Sequence, residues 1–368
     1  MRLNRALAQK LGSRVVMLGE ALGCSAHRTP QEAAAFLEAC SPDVKSSAIS
    51  EEKHFPETEM DLSVIVPTYN RAERVCRAIA SVLSQKTSYS WELIIVNDGS
   101  PDHTAEVLKS YEQQKNVRVL HQTNGGLSAA RNAGMALARR AYVTFLDDDD
   151  ALLPGALEAL LKEARTFDAD IVEGGYLRSY ADGSQELGKT APAGEVSRPL
   201  GTLNGFPWGK VYRRSLFDRV QFPVGYWYED SINSGLLYSM AKTCRIIPHP
   251  VYEYVLGEQN MTVVSIGKPK TLDSLYITRQ LLRDRETLGL VNGQAEYEYF
   301  LRMVRLTFDR TQALGPEIQQ AVFAVWCGLY HQYYEGFSTE KSGAVQRIER
   351  ALKRNRYRSF AMHCVCKI

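Results

Sequence analysis

Four consecutive carboxylates, Asp147 to Asp150, close the apolar segment Tyr142-Val143-Thr144-Phe145-Leu146. Acids packed this closely repel one another and seldom favour folding unless a cation sits among them. Their oxygens suit a hard ion, Mg²⁺ or Mn²⁺, of the kind held by one or two carboxylates with substrate phosphates completing the shell. A charge run is otherwise a solvated loop. Here the acids follow directly on a β-rich run, the position at which open α/β sheets take their ligands.

Three further loops carry polar groups at comparable places. Pro67-Thr68-Tyr69-Asn70-Arg71 turns the chain after an apolar run, presents Thr68 and Tyr69, and offers Asn70 as a helix cap. Asn97-Asp98-Gly99-Ser100 ends a second run. Asp98 there can accept from a ribose hydroxyl or a base N–H above a tight glycine turn, or it is an Asp-Gly turn with a serine cap. Asn124 to Gly134 sets a glycine pair before a helical stretch carrying Arg131.

The elements that must position these loops alternate. Apolar runs at 62–66, 93–96, 117–121, 142–146 and 171–176 are expected as strands, and helices are expected over 71–84, 104–114 and 128–139. Strands separated by helices of this length imply a parallel sheet covered on both faces, with a nucleotide-sized cleft at the strands' carboxyl ends. Residues 180–265 read as turn-rich and less regular. The last hundred read as mostly helical, over 281–288, 298–314 and 319–334. At the amino end Leu3, Leu7, Leu11, Val15, Leu18 and Leu22 recur at helical spacing between basic residues, so 1–40 is expected to be a basic amphipathic helix. Such a helix lies on an anionic membrane, docks on a partner or packs on its own domain. Residues 41–60 read as a polar linker.

Composition narrows the class. The 368 residues are 45% hydrophobic, enough to bury a full core in about two domains. A net charge of +2 gives no global attraction to nucleic acid, and no nucleic-acid partner is expected. The seven cysteines show no disulfide or zinc spacing, which fits a reducing compartment. With no apolar run long enough to span a bilayer and no secretory signal, the expected location is cytoplasmic, with the basic ends available for contact with the inner membrane face.

Taken in order, Ser63-Val64-Ile65-Val66-Pro67-Thr68-Tyr69-Asn70, Ile95-Val96-Asn97-Asp98-Gly99-Ser100, Asn124 to Gly134 and Phe145-Leu146-Asp147-Asp148-Asp149-Asp150 resemble the family 2 glycosyltransferases over roughly residues 62–262. The resemblance implies a GT-A fold, an α/β, mostly parallel, doubly wound sheet. It gives three regions: an N-terminal helical extension and linker (1–60), a glycosyltransferase domain (61–265) and a helical C-terminal region (266–368). It implies inverting transfer of a sugar from a nucleotide donor, a UDP-sugar, to a glycan or glycolipid hydroxyl in surface polysaccharide assembly, with Mn²⁺ or Mg²⁺ as cofactor.

By the same resemblance Pro67, Thr68, Tyr69, Asp98, Arg131, Asp147 and Asp148 line the nucleotide pocket, and Asp149 with Asp147 takes the metal. The family often has Ser between those two acids where this chain has Asp148. Trp208 and Lys210, in Pro207-Trp208-Gly209-Lys210-Val211-Tyr212, fall on the acceptor side. Tyr228-Glu229-Asp230 is similar to the family's Glu-Asp motif, with Asp230 the general base beside Glu229. From the residues alone, Glu229-Asp230 could equally be acids opposing a helix dipole, Lys210 could simply cover apolar surface with its stem, and Trp208 could be core. Two other readings are a nucleotidyltransferase, which should carry a glycine-rich basic loop absent from Pro67-Thr68-Tyr69-Asn70, and a non-catalytic glycan- or nucleotide-sugar-binding protein. Residues 266–368 are left with three roles: binding acceptor, membrane or a second copy of the chain in a homo-oligomer.

Overall fold

The computed structural model describes residues 28–42, 45–51, 61–139, 141–188, 191–257 and 265–366. Most of the expected basic helix over 1–40 lies outside them. Its last part is the helix Pro30–Cys40, begun by a capping box in which Thr29 and Glu32 satisfy each other's backbone N–H.

The chain divides into two compact units. The first, drawn from residues 45–225 and 229–257, is built on one sheet whose strands, in spatial order, are 117–121, 91–97, 62–68, 142–145, 210–213, 171–179, 244–255 and 151–152, with 185–187 and 194–195 added to it. Strands β1 (Leu62–Thr68), β2 (Trp91–Asn97), β3 (Val117–His121) and β4 (Tyr142–Phe145) form a parallel half. All seven residues of β1 are buried, as a strand covered on both faces requires. The helix Ala72–Leu83 buries Val75, Ala78, Ile79 and Val82, one stripe at helical spacing. Because β2 and β3 lie on one side of β1 and β4 on the other, the chain reverses its progress along the sheet at β1 and β4, and such a switch point opens a crevice at the carboxyl ends of the two strands.

The other half is mixed and differs from the sequence expectation. Strands β5 (Ala151–Leu152), β6 (Ile171–Ser179), β7 (Gln185–Leu187), β8 (Gly194–Glu195), β9 (Lys210–Arg213) and β10 (Cys244–Val255) bring order to much of the segment read as irregular. Strand β9 runs antiparallel between β4 and β6. Strand β10 is disguised in sequence by Pro248 and Pro250, which cannot donate to a ladder, and its register with β6 breaks at those positions. The helix expected over 104–114 is only Thr104–Leu108, since the following Glu112-Gln113-Gln114-Lys115 offers no apolar face to bury.

The second unit holds the helix Pro30–Cys40 and residues 265–366, including the helices Asp273–Leu288, Gln294–Thr311, Pro316–Tyr333, Ala344–Lys353 and Tyr357–Cys366. Trp326 is fully buried edge-on to Phe300, and Phe323 stacks on Phe360. Among the described residues no helix is long and apolar enough to cross a membrane.

Candidate functional site

The crevice at β1 and β4 gathers most of the residues expected to carry chemistry. Each carboxylate of the Asp147–Asp150 turn takes a different partner. Asp147 Oδ1 accepts from Arg131 Nη2 at 2.8 Å. Thr68, at the end of β1, donates its hydroxyl to Asp148 Oδ2 at 2.7 Å. Asp149 Oδ2 accepts from Arg71 Nη1 at 3.1 Å, with Arg74 Nη1 at 4.0 Å. Asp150 turns inward, taking the Tyr252 hydroxyl at 2.7 Å and the Val255 N–H at 2.8 Å.

The electrostatics show uncompensated negative charge. Burial, then the charge of Asp147, pushes the Asp150 carboxyl up to about 9. Burial raises Asp148 to about 7, against the hydroxyl of Thr68 that favours its ionised form. Asp149 is raised as well, by burial and then by Asp147. The residues fit a divalent cation as two hard donors. Among the described residues, Asp147 Oδ2 and Asp149 Oδ1 have no side-chain partner, and a pair of carboxylates leaves the rest of a Mg²⁺ or Mn²⁺ shell to phosphate and water. No group of three or more His, Cys, Asp or Glu stands ready to hold an ion by itself among the described residues.

Arg131 joins this turn to the second acidic pair. It is 2% exposed, sits on the helix Leu127–Leu137, and donates from Nη1 to Glu229 Oε1 at 2.6 Å as well as to Asp147. Burial opposes its charge, yet Asp147 and Glu229 together hold its pKa above the ordinary arginine value. Its Nε is enclosed with no hydrogen-bond partner among the described residues. Residues 16 and 98 positions from Arg131 in sequence are thus brought to one guanidinium.

Glu229 and Asp230 follow Tyr228, whose φ of 65° is a left-handed conformation rare for a bulky side chain and of the kind that clusters at functional sites. The Asp230 carbonyl accepts from the Asn233 backbone N–H at 3.0 Å and from its Nδ2 at 3.1 Å, so the pair does precede a helical turn. Asn233 is fully buried and is held in turn by the Tyr212 hydroxyl at 2.9 Å. It opens a single π-helical turn, Asn233–Leu237, a feature frequent beside functional sites.

Other expected site residues sit differently. Asp98 is 3% exposed and is engaged by the glycine loop: Oδ1 takes Gln122 Nε2 at 2.7 Å and Gly125 N at 2.9 Å, and Oδ2 takes Gly126 N at 2.8 Å. One acceptor position on Oδ2 remains for a ligand. Pro67 is buried in β1, whereas Tyr69 is 46% exposed. Lys210 is not brought to the cleft surface. Fully buried, it spends its three donors on Glu173 Oε2 at 2.9 Å, Asn204 Oδ1 at 2.5 Å and the Phe206 carbonyl at 2.8 Å. Burial lowers its pKa. Trp208 is also enclosed, stacked between Phe206 at 4.5 Å and Tyr252 at 4.3 Å. Both residues expected on the acceptor side are thus enclosed, and Trp208 stacks on Tyr252, whose hydroxyl accepts the Asp147 N–H at 3.2 Å while donating to Asp150.

Three contributors were missing from the expected set. Tyr252 braces the aspartate turn, Arg71 neutralises Asp149, and Glu173 holds Lys210. Glu173 carried a signal, an acid in the otherwise apolar Ile171-Val172-Glu173-Gly174-Gly175.

Comparison with known proteins agrees with this architecture. Residues 63–221 match the Glycosyl transferase family 2 profile. The chain is 35% identical over 218 residues to the uncharacterized glycosyltransferase EpsJ of Bacillus subtilis, spanning 55% of this chain and 63% of that one. It is 30% identical over 211 residues to the glycosyltransferase GlyG of Streptococcus pneumoniae, spanning 52% of this chain and 70% of that one. Matches to the first curated relatives thus extend over roughly three fifths of their length. Among solved structures, the S. aureus TarS fragment 1–349 in complex with UDP-GlcNAc superposes with a TM-score of 0.63 at 19% identity, covering 82% of this chain and 90% of that one, a likeness of fold.

Proposed function

The chain belongs to the family 2 glycosyltransferases, and from that premise we propose that it moves a sugar, with inversion, from a UDP-sugar to a hydroxyl of a growing surface glycan or glycolipid. The observation that carries this reading is Arg131. By holding Asp147 and Glu229 on one guanidinium it ties the acids suited to a diphosphate to the pair suited to a proton. The UDP-GlcNAc bound to TarS, on a similar fold, supports a UDP-sugar as donor.

In this reading Thr68, Tyr69 and the free position on Asp98 receive the nucleotide. Asp147 and Asp149 would hold a divalent ion, which when bound offsets the charge that gathers on the diphosphate. Asp230 takes the acceptor's proton as the acceptor oxygen attacks the anomeric carbon. The bond from that carbon to the diphosphate oxygen breaks with its electron pair on the leaving group, and a single displacement inverts the configuration. A hydroxyl is a poor nucleophile until its proton is taken, which makes the base worth on the order of 10²–10⁴ in rate. Arg131, with both Nη groups committed to acids, orients Glu229 and so the neighbouring Asp230.

The test is Asp230→Asn. Transfer should fall by about two to four orders of magnitude while UDP affinity stays within about twofold of wild type. A fully active variant removes Asp230 from the mechanism, and parallel loss of UDP binding assigns it to the donor site instead.

A further inference from the structure

The helical unit contains a cavity of about 890 Å³ that the transfer chemistry leaves unexplained. That volume is in the range that encloses a small molecule. Its walls divide by polarity. Phe323, Cys327 and Tyr357 are buried and give it an apolar floor, whereas Arg28, Arg356 and Arg358 add basic residues to its lining. None of the described residues that line it is acidic.

The three arginines are poorly matched by acids. Arg28 pairs with the exposed carboxylate of Glu317 and stands 4.1 Å from the centre of the Phe36 ring. Arg356 and Arg358 are exposed, and among the described residues neither side chain has an ion-pair partner. The helix Tyr357–Cys366, which begins here, has no acid in its first turn. Positive charge is in excess nearby too: burial, then Arg347 and Arg350, lowers the pKa of His363 on that helix. Guanidinium forks match phosphate oxygens in pairs, and a concave wall of one sign concentrates the opposite charge.

We propose that this cavity is a binding site for a phosphoryl group carried on an organic body, its oxygens held by Arg356, Arg358 and Arg28 and its carbon portion laid against Phe323 and Tyr357. A lipid headgroup and a phosphate on a soluble or polymeric glycan present the same chemistry. The site shares no residue with the donor pocket and gives the helical unit a ligand of its own.

Calorimetric titration of the full chain with glycerol 3-phosphate tests this. Wild type should bind, and Arg356→Ala with Arg358→Ala should weaken binding by at least about tenfold, since each lost contact is a charge-assisted hydrogen bond. Both side chains are exposed, so the melting temperature should hold. The Lys pair at the same positions keeps the charge without the fork and should recover only part of the affinity. Displacement of glycerol 3-phosphate by phosphatidylglycerol vesicles, and not by phosphatidylcholine vesicles, would assign the natural phosphate to a lipid; failure of both to displace it would assign it to a soluble or polymeric partner. No binding by wild type, or equal binding by the double alanine variant, overturns the proposal.

Discussion

Replacing Arg131 with Met removes one guanidinium while keeping most of the side-chain volume, and the structure gives the cost. The group is 2% exposed and bonds Asp147 at 2.8 Å and Glu229 at 2.6 Å, side chains that are 27% and 14% exposed. Removing one partner of a buried ion pair costs about 3–5 kcal/mol because a charge is left uncompensated. Here two charges are left, but both retain some water, so the lower end applies, about 3 kcal/mol. For a unit of this size that lowers Tm by about 6–12 °C. Thermal unfolding of wild type and Arg131→Met should show that drop. It should also show a larger stabilisation of the variant by Mn²⁺, since a divalent ion binding only the folded state replaces part of the missing positive charge. A change in Tm of under about 1 °C, or equal Mn²⁺ stabilisation in both proteins, would refute the view that Arg131 neutralises the two acids.

Stability should depend on pH through Asp150, whose folded-state carboxyl sits up to about 9. The folded protein keeps a proton that the unfolded chain has released, so this contribution is present at low pH and lost as pH rises toward 9, by up to about 1 kcal/mol per pH unit. Asp150→Asn should flatten the decline in Tm between pH 6 and 9, and an unchanged slope would show that another group sets it. Lys210→Met should cost about 3–5 kcal/mol in denaturant unfolding by stranding Glu173, which is 4% exposed, and adding Glu173→Gln should restore most of that loss. If Lys210 instead served the cleft surface, the single variant would lose activity with little loss of stability.

The parallel half of the fold was legible because β1, β2 and β4 are apolar runs that end in polar turns, and the aspartate turn could be read straight off Phe145-Leu146-Asp147. What sequence could not supply was direction. Lys210 and Trp208 lie in a segment that the family resemblance put on the acceptor side, yet whether these side chains face ligand or core depends on Glu173 and Tyr252, which pack on them from strands β6 and β10. Strand β10 itself was hidden by its two prolines, and with it the role of Tyr252 beneath the turn. Arg131 was placed on the right helix, but its bridging role follows from a topology that joins residues 147 and 229.

The proposed transfer depends most on Asp147 and Asp149 receiving a divalent ion together with the donor's diphosphate. Titrating UDP into the protein by calorimetry in excess Mn²⁺, then in excess EDTA, and repeating both on Asp149→Asn measures this directly. The prediction is that EDTA weakens UDP binding to wild type by about tenfold or more, and that the variant binds weakly in either condition. Equal affinity of wild type in Mn²⁺ and in EDTA would contradict it.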